Sequence, residues 1–161
     1  MNHSQLIELL NDETTIFFYD HLQKFPADSI EHKLLDVFTF GVWNDYLDLE
    51  KDLPADLKLK PNSRAAQKLK CLTITSFFLN NIKGRYETLK EVIGAKDEEE
   101  VENIAIMAQG FGLVRIQIDQ NASEIDCLRV SSRCIRNTPE DLDKVIGNIR
   151  DMKLRIKEVT N

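Results

Sequence analysis

Three cysteines and three histidines are the side chains of this 161-residue sequence best suited to nucleophilic or metal chemistry. Cys71, Cys127 and Cys134 form no Cys-x-x-Cys pair, and His3, His21 and His32 all lie in the first fifth of the chain, far from every cysteine. Their spacing suggests neither a zinc site nor a Cys/His nucleophile, so reduced structural thiols are expected. The His-Glu-x-x-His, Gly-x-Ser-x-Gly, Gly-x-Gly-x-x-Gly and Walker A patterns are also missing from the sequence. A binding role is therefore expected, with no catalytic, cofactor-binding or metal-ligating residue and no small-molecule substrate.

Charge offers two kinds of binding chemistry. Lys58, Lys60, Arg64, Lys68 and Lys70 are five bases with no acid among them. Such a run can follow a phosphate backbone or meet an acidic protein, and it is also how the solvated face of a helix reads. No aromatic residue lies among these bases to stack on nucleobases. The run Asp97-Glu98-Glu99-Glu100-Val101-Glu102 opens another helix with five carboxylates. A duplex would repel that helix, whereas the same acids simply complement the positive helix end. Nucleic acid is thus a disfavoured partner.

The most specific pattern is apolar. Leu142, Val145, Ile149, Met152, Ile156 and Val159 recur at spacings of 3, 4, 3, 4 and 3, a heptad seam. Thr138 suits the cap of this helix, Pro139 its first position, and Glu140 and Asp141 its positive first turn. So short a seam is marginal as an isolated dimer, and a bundle with helices of several other chains is expected. The competing expectation is that it folds back on the N-terminal helices.

These residues need elements to carry them. The net charge is −6, with 42% hydrophobic and 30% charged residues, which fits a soluble globular protein with one core. The N-terminus lacks the order of a signal peptide and no stretch is apolar enough to cross a bilayer, so an intracellular, membrane-free protein is expected. Helices are predicted over 4–10, 15–25 (ending at Pro26), 28–40 with an Asp28/Glu31 cap, and 42–49, followed by a connector over 51–61. A long helix starting after Asn62 or Ser63 is apolar on more than one side, as a helix buried between layers would be. Helices over 85–93, closed by Gly94, and 97–110 follow, and then the period changes from 3.6 to 2. Val114, Ile116 and Ile118 alternate with polar residues, Gln120 to Ser123 make a turn, and Ile125 and Cys127 share one face of a returning strand.

Three helices followed by a hairpin is the order of a winged helix. The resulting division is a helical layer over 1–61, a winged helix over 62–136 and a bundle helix over 137–161. The fold class is mainly α with a small antiparallel sheet (α+β). The interaction surfaces are the sheet edge (Val114, Ile116, Ile118, Ile125, Cys127) and the terminal seam (Leu142, Val145, Ile149, Met152, Ile156).

Leu34-Leu35-Asp36-Val37-Phe38-Thr39-Phe40-Gly41, then Trp43-Asn44-Asp45-Tyr46 and Lys68-Leu69-Lys70-Cys71-Leu72-Thr73-Ile74, resemble the subunit 7 family of the COP9 signalosome. The resemblance continues through Arg85-Tyr86-Glu87-Thr88-Leu89, Glu99-Glu100-Val101-Glu102-Asn103-Ile104 and Ile118-Asp119-Gln120, covering roughly residues 30 to 136. It implies a PCI domain, helical repeats ending in a winged helix, as also found in the proteasome lid and translation initiation factor 3. It further implies a non-catalytic scaffold subunit in cytoplasm and nucleus. Such a subunit supports cullin deneddylation by joining other PCI subunits through winged-helix sheets and a shared bundle of C-terminal helices. The helical region before Leu34 is short for subunit 7 and fits a compact fungal counterpart. The alternatives are a winged-helix nucleic-acid binder and a PCI subunit of one of the other two assemblies.

Overall fold

The computed structural model describes residues 2–133 and 139–160, apart from the side chains of 139, 141, 145, 148 and 157–160. Cys134, the expected Thr138 cap and the expected boundary between 136 and 137 lie outside the described residues. The elements run α1 (His3–Asn11), α2 (Tyr19–Leu22), α3 (Ile30–Phe40), α4 (Trp43–Glu50), α5 (Arg64–Asn80), β1 (Lys83–Arg85), α6 (Tyr86–Ile93), α7 (Glu98–Gly110), β2 (Val114–Asp119), β3 (Glu124–Val130) and α8 (Pro139–Thr160). This is a mainly helical α+β fold with one small antiparallel sheet.

Local chemistry sets most helix ends. Asn2 and Gln5 exchange hydrogen bonds as a capping box for α1. Ser63 accepts from the Ala66 N–H at the start of α5, and Asp97 from the Glu100 N–H at the start of α7. For α3 the cap is Ser29, bonded to the His32 N–H, one residue later than the predicted Asp28/Glu31 pair. Gly94 ends α6 with φ +62°, and a β-carbon there would collide with the Trp43 indole.

The expected helix over 15–25 shrinks to the single turn of α2. Asp12 Oδ2 collects the hydroxyls of Thr14 and Thr15, both at 2.7 Å, and the Thr15 N–H at 2.9 Å. These bonds, the Thr15 hydroxyl foremost, hold the Asp12 carboxyl down at about 2. The Thr15 carbonyl in turn accepts from Lys68 Nζ at 2.7 Å, so the groups a helix needs are spent elsewhere.

Helix α5 is the central post. Leu69, Cys71, Leu72 and Ile74 are buried on several of its sides, and Thr73 and Thr75 turn their hydroxyls onto the carbonyls of Leu69 and Cys71. Around it, one continuous core joins α1 to α7 with the inner face of the sheet through Leu6, Phe38, Tyr46, Leu89, Ile104 and Ile125. Among the described residues, no core residue comes from α8.

The sheet has three strands in the order β1-β3-β2. β2 pairs β3 from Val114 opposite Val130 to Asp119 opposite Glu124, with an irregularity between Arg115 and Ile116. β1 pairs the other side of β3, Lys83 opposite Asp126 and Arg85 opposite Glu124. The sequence reading missed β1, because three residues, Lys83-Gly84-Arg85, carry no apolar alternation. Among the described residues, no helix is long and apolar enough to cross a membrane.

Candidate functional site

The described seam side chains of α8 are exposed. Leu142 is 41% exposed, Ile149 50%, Met152 47% and Ile156 63%, whereas the side chain of Val145 lies outside the described set. Ile146, 47% exposed, sits four residues after Leu142 and three before Ile149, so it broadens the stripe beyond two residues per heptad. That width suits packing against more than one neighbouring helix better than a two-stranded coil. Ile146 was visible in the sequence and passed over because it breaks the strict 3-4 alternation. Leu154 is also exposed, on a different side of the helix.

At the sheet, β1 changes which edge is free. Ile125 is fully buried and Cys127 half-buried on β3, and β3 is the central strand, so these two residues do not form an edge as expected. The Cys127 N–H donates to the Ile82 carbonyl at 2.7 Å, extending the pairing one residue beyond β1. Burial raises the Cys127 thiol above its ordinary value, and it pushes the Cys71 thiol up to about 12. Val114, Ile116 and Ile118 do belong to the outer strand. Along β2 runs an open groove lined by Gln109, Leu113, Arg115, Gln117, Leu128 and Ser131, with a volume of ≈ 600 Å³. Gln109 Oε1 reaches into it and accepts the Ile116 N–H at 2.9 Å.

The basic run does not survive folding as a continuous patch. Lys68 is fully buried, its ammonium 5.3 Å from the Phe18 ring centroid, and desolvation lowers its pKa to about 8. Lys70 lies 2.5 Å from Glu100 and 4.9 Å from the centre of the Trp43 ring, and it also donates to the Gly94 carbonyl. Arg64 pairs with Glu13 at 3.1 Å. Only Lys58 and Lys60 remain exposed without such engagement among the described residues. The acid run of α7 is likewise divided. Glu100 is held by Lys70, and Glu102 accepts from the Tyr86 hydroxyl at 2.6 Å and from Gln120, tying the β2–β3 turn to α7. Glu98 and Glu99 stay exposed, with Ile106 further along the helix.

Two polar constructions escaped the sequence reading because their partners are far apart in the chain. Arg133 is buried and donates to the carbonyls of Gly41 at 2.5 Å and Phe38 at 3.0 Å, and to Ser76 Oγ at 2.9 Å. It locks the segment after β3 onto the end of α3, within the Phe38-to-Gly41 stretch. His3 lies between Asp56, 2.5 Å from Nδ1, and Glu31, 2.9 Å from Nε2. Both ring nitrogens must carry hydrogen to satisfy two carboxylates, and its pKa is raised accordingly, chiefly by Asp56.

The arrangement presents an apolar helix, an outer strand with its groove, and basic and acidic runs each divided between internal bonds and exposed charges. No group of three or more histidine, cysteine or acidic side chains able to hold a metal occurs among the described residues. No protein-family model matches the chain, and no curated protein does.

Proposed function

We propose that this chain is a non-catalytic scaffold subunit of the COP9 signalosome, a PCI protein that supports cullin deneddylation in cytoplasm and nucleus. The observation that carries the proposal is the apolar stripe of α8, whose described large side chains are exposed and, among the described residues, do not enter the core that the other helices share. Exposed large side chains at helical spacing are costly unless another surface covers them. Four of the six exposed large apolar residues of α8, Leu142, Ile149, Met152 and Ile156, fall at the seam positions that the heptad spacing gives. The order α5-β1-α6-α7-β2-β3, with β3 central, supports the winged-helix element of the same reading. In this reading β2 meets a neighbouring PCI subunit, α8 enters a bundle of several chains, and the isopeptidase resides in another subunit. A phosphate-binding role loses its main support with the burial of Lys68 and the pairing of Lys70.

The test is co-purification from cells with a chain ending at Arg136, which keeps the Arg133 lock. Loss of the co-purifying subunits supports the proposal. Full assembly without α8 removes the helix from it, and mass spectrometry that finds no PCI subunit with the intact chain refutes the signalosome assignment.

A further inference from the structure

The outer strand of the sheet is complementary to itself. Successive residues of an antiparallel strand turn their peptide groups alternately toward one neighbour and the other. The Ile116 N–H faces away from β3, since it donates to the Gln109 side chain. By the same alternation Ile118 also turns its N–H and C=O outward, beyond the irregularity at Arg115/Ile116. On the side-chain level, Ile116 and Ile118 are half-buried, whereas Arg115, Gln117 and Asp119 are exposed. Arg115 has no ion-pair partner among the described residues.

Laid antiparallel on a second β2 with Gln117 opposite Gln117, this strand sets Arg115 against Asp119 twice and Ile116 against Ile118 twice. The same centre puts the outward peptide groups of Ile116 and Ile118 directly opposite each other, as hydrogen-bonded pairs require. Sliding the register by two residues keeps the backbone match but faces Arg115 with Gln117 or Asn121, losing both charge pairs. Sliding it by one sets inward peptide groups against outward ones. Backbone and charge therefore select one register.

We infer that β2 pairs with β2 of a second copy of this chain about a two-fold axis through Gln117, with the Gln109 amide displaced from the Ile116 N–H. The Gln109 side chain covers the edge in the single chain, as edge strands are commonly covered. The pairing goes beyond the scaffold reading and does not depend on it, although a neighbouring subunit would compete for the same edge.

Sedimentation equilibrium of the full chain over a concentration series tests it, with circular dichroism as the check of folding. The wild type is expected to dimerise. Arg115→Asp places aspartate opposite aspartate at two points and is expected to weaken the dimer by about tenfold or more. Asp119→Arg does the same with two arginines. Mixing the two variants restores a heterodimer, since each altered charge now meets its opposite. A monomeric wild type, a dimer indifferent to Arg115→Asp, or a dimer lost only on Ile149→Asp in α8 overturns the inference.

Discussion

Replacing Ile149 by aspartate separates an assembly surface from a piece of the chain's own core. Ile149 is 50% exposed in the chain by itself, so a partner that covers it removes about half a side chain from water. Full burial of an isoleucine contributes ~1.5–3 kcal/mol, so the covered half is worth about 1 kcal/mol. The aspartate also carries an unpaired charge into a dry contact, which costs at least ~3 kcal/mol. The combined loss of about 4 kcal/mol corresponds to roughly a thousandfold in association. Ile149→Ala, which loses only the apolar part, is expected to weaken association roughly fivefold. The folded chain has little at stake, because none of the described side chains of α8 belongs to the core. An exposed substitution shifts stability by about 0.5 kcal/mol, or ~1–2 °C in melting temperature for a domain of this size. The assays are quantitative co-purification of the partner subunits and a thermal melt of the isolated variant. A melting temperature lowered by more than ~6 °C would place Ile149 in the chain's own core. Wild-type levels of assembly would show that α8 is not the interface.

Arg133→Met removes the donors of two carbonyls, those of Phe38 and Gly41. Each buried acceptor left unsatisfied costs ~1–3 kcal/mol, so urea unfolding is expected to show a loss of about 3 kcal/mol; under ~1 kcal/mol would refute the lock. Lys68 has a native pKa lowered by burial to about 8 from the ordinary 10.5, so between those values the unfolded chain binds more protons than the native one. The stability of the wild type relative to Lys68→Met should therefore rise with pH across that window, and a flat difference from pH 8 to 10 would contradict it. The His3 pKa is raised, so what its two carboxylates contribute is complete below the ordinary 6.5 and fades as pH climbs through the higher native value. An imidazole titration by NMR should give a midpoint above 6.5 that falls in Asp56→Asn, the larger cause, and less in Glu31→Gln.

Much of the fold could be read where a residue acts on its immediate neighbours. The cap of α5 at Ser63, the cap of α7 at Asp97, the stop at Gly94 and the alternation of Val114, Ile116 and Ile118 each rest on contacts a few residues apart. The apolar spacing of α8 belongs here too, since it is a local pattern and the large apolar side chains described on that helix are exposed. The candidate site was less legible at the sheet, where β1 took one side of β3 and moved Ile125 and Cys127 off the edge.

Residues distant in the chain decided the rest. Asp12 and Lys68 together draw the backbone around Thr15 out of the helix its composition favours. Lys68, Lys70 and Arg64 stop being a patch because Thr15, Glu100 and Glu13 arrive from other elements. Arg133 finds its carbonyls more than ninety residues earlier. The sequence by itself determined which residues start and stop helices and which faces are apolar, because these are local energies of backbone and side chain. Only the tertiary structure decided which charges remain in water and which strand has a free edge, because both depend on what the fold places opposite them.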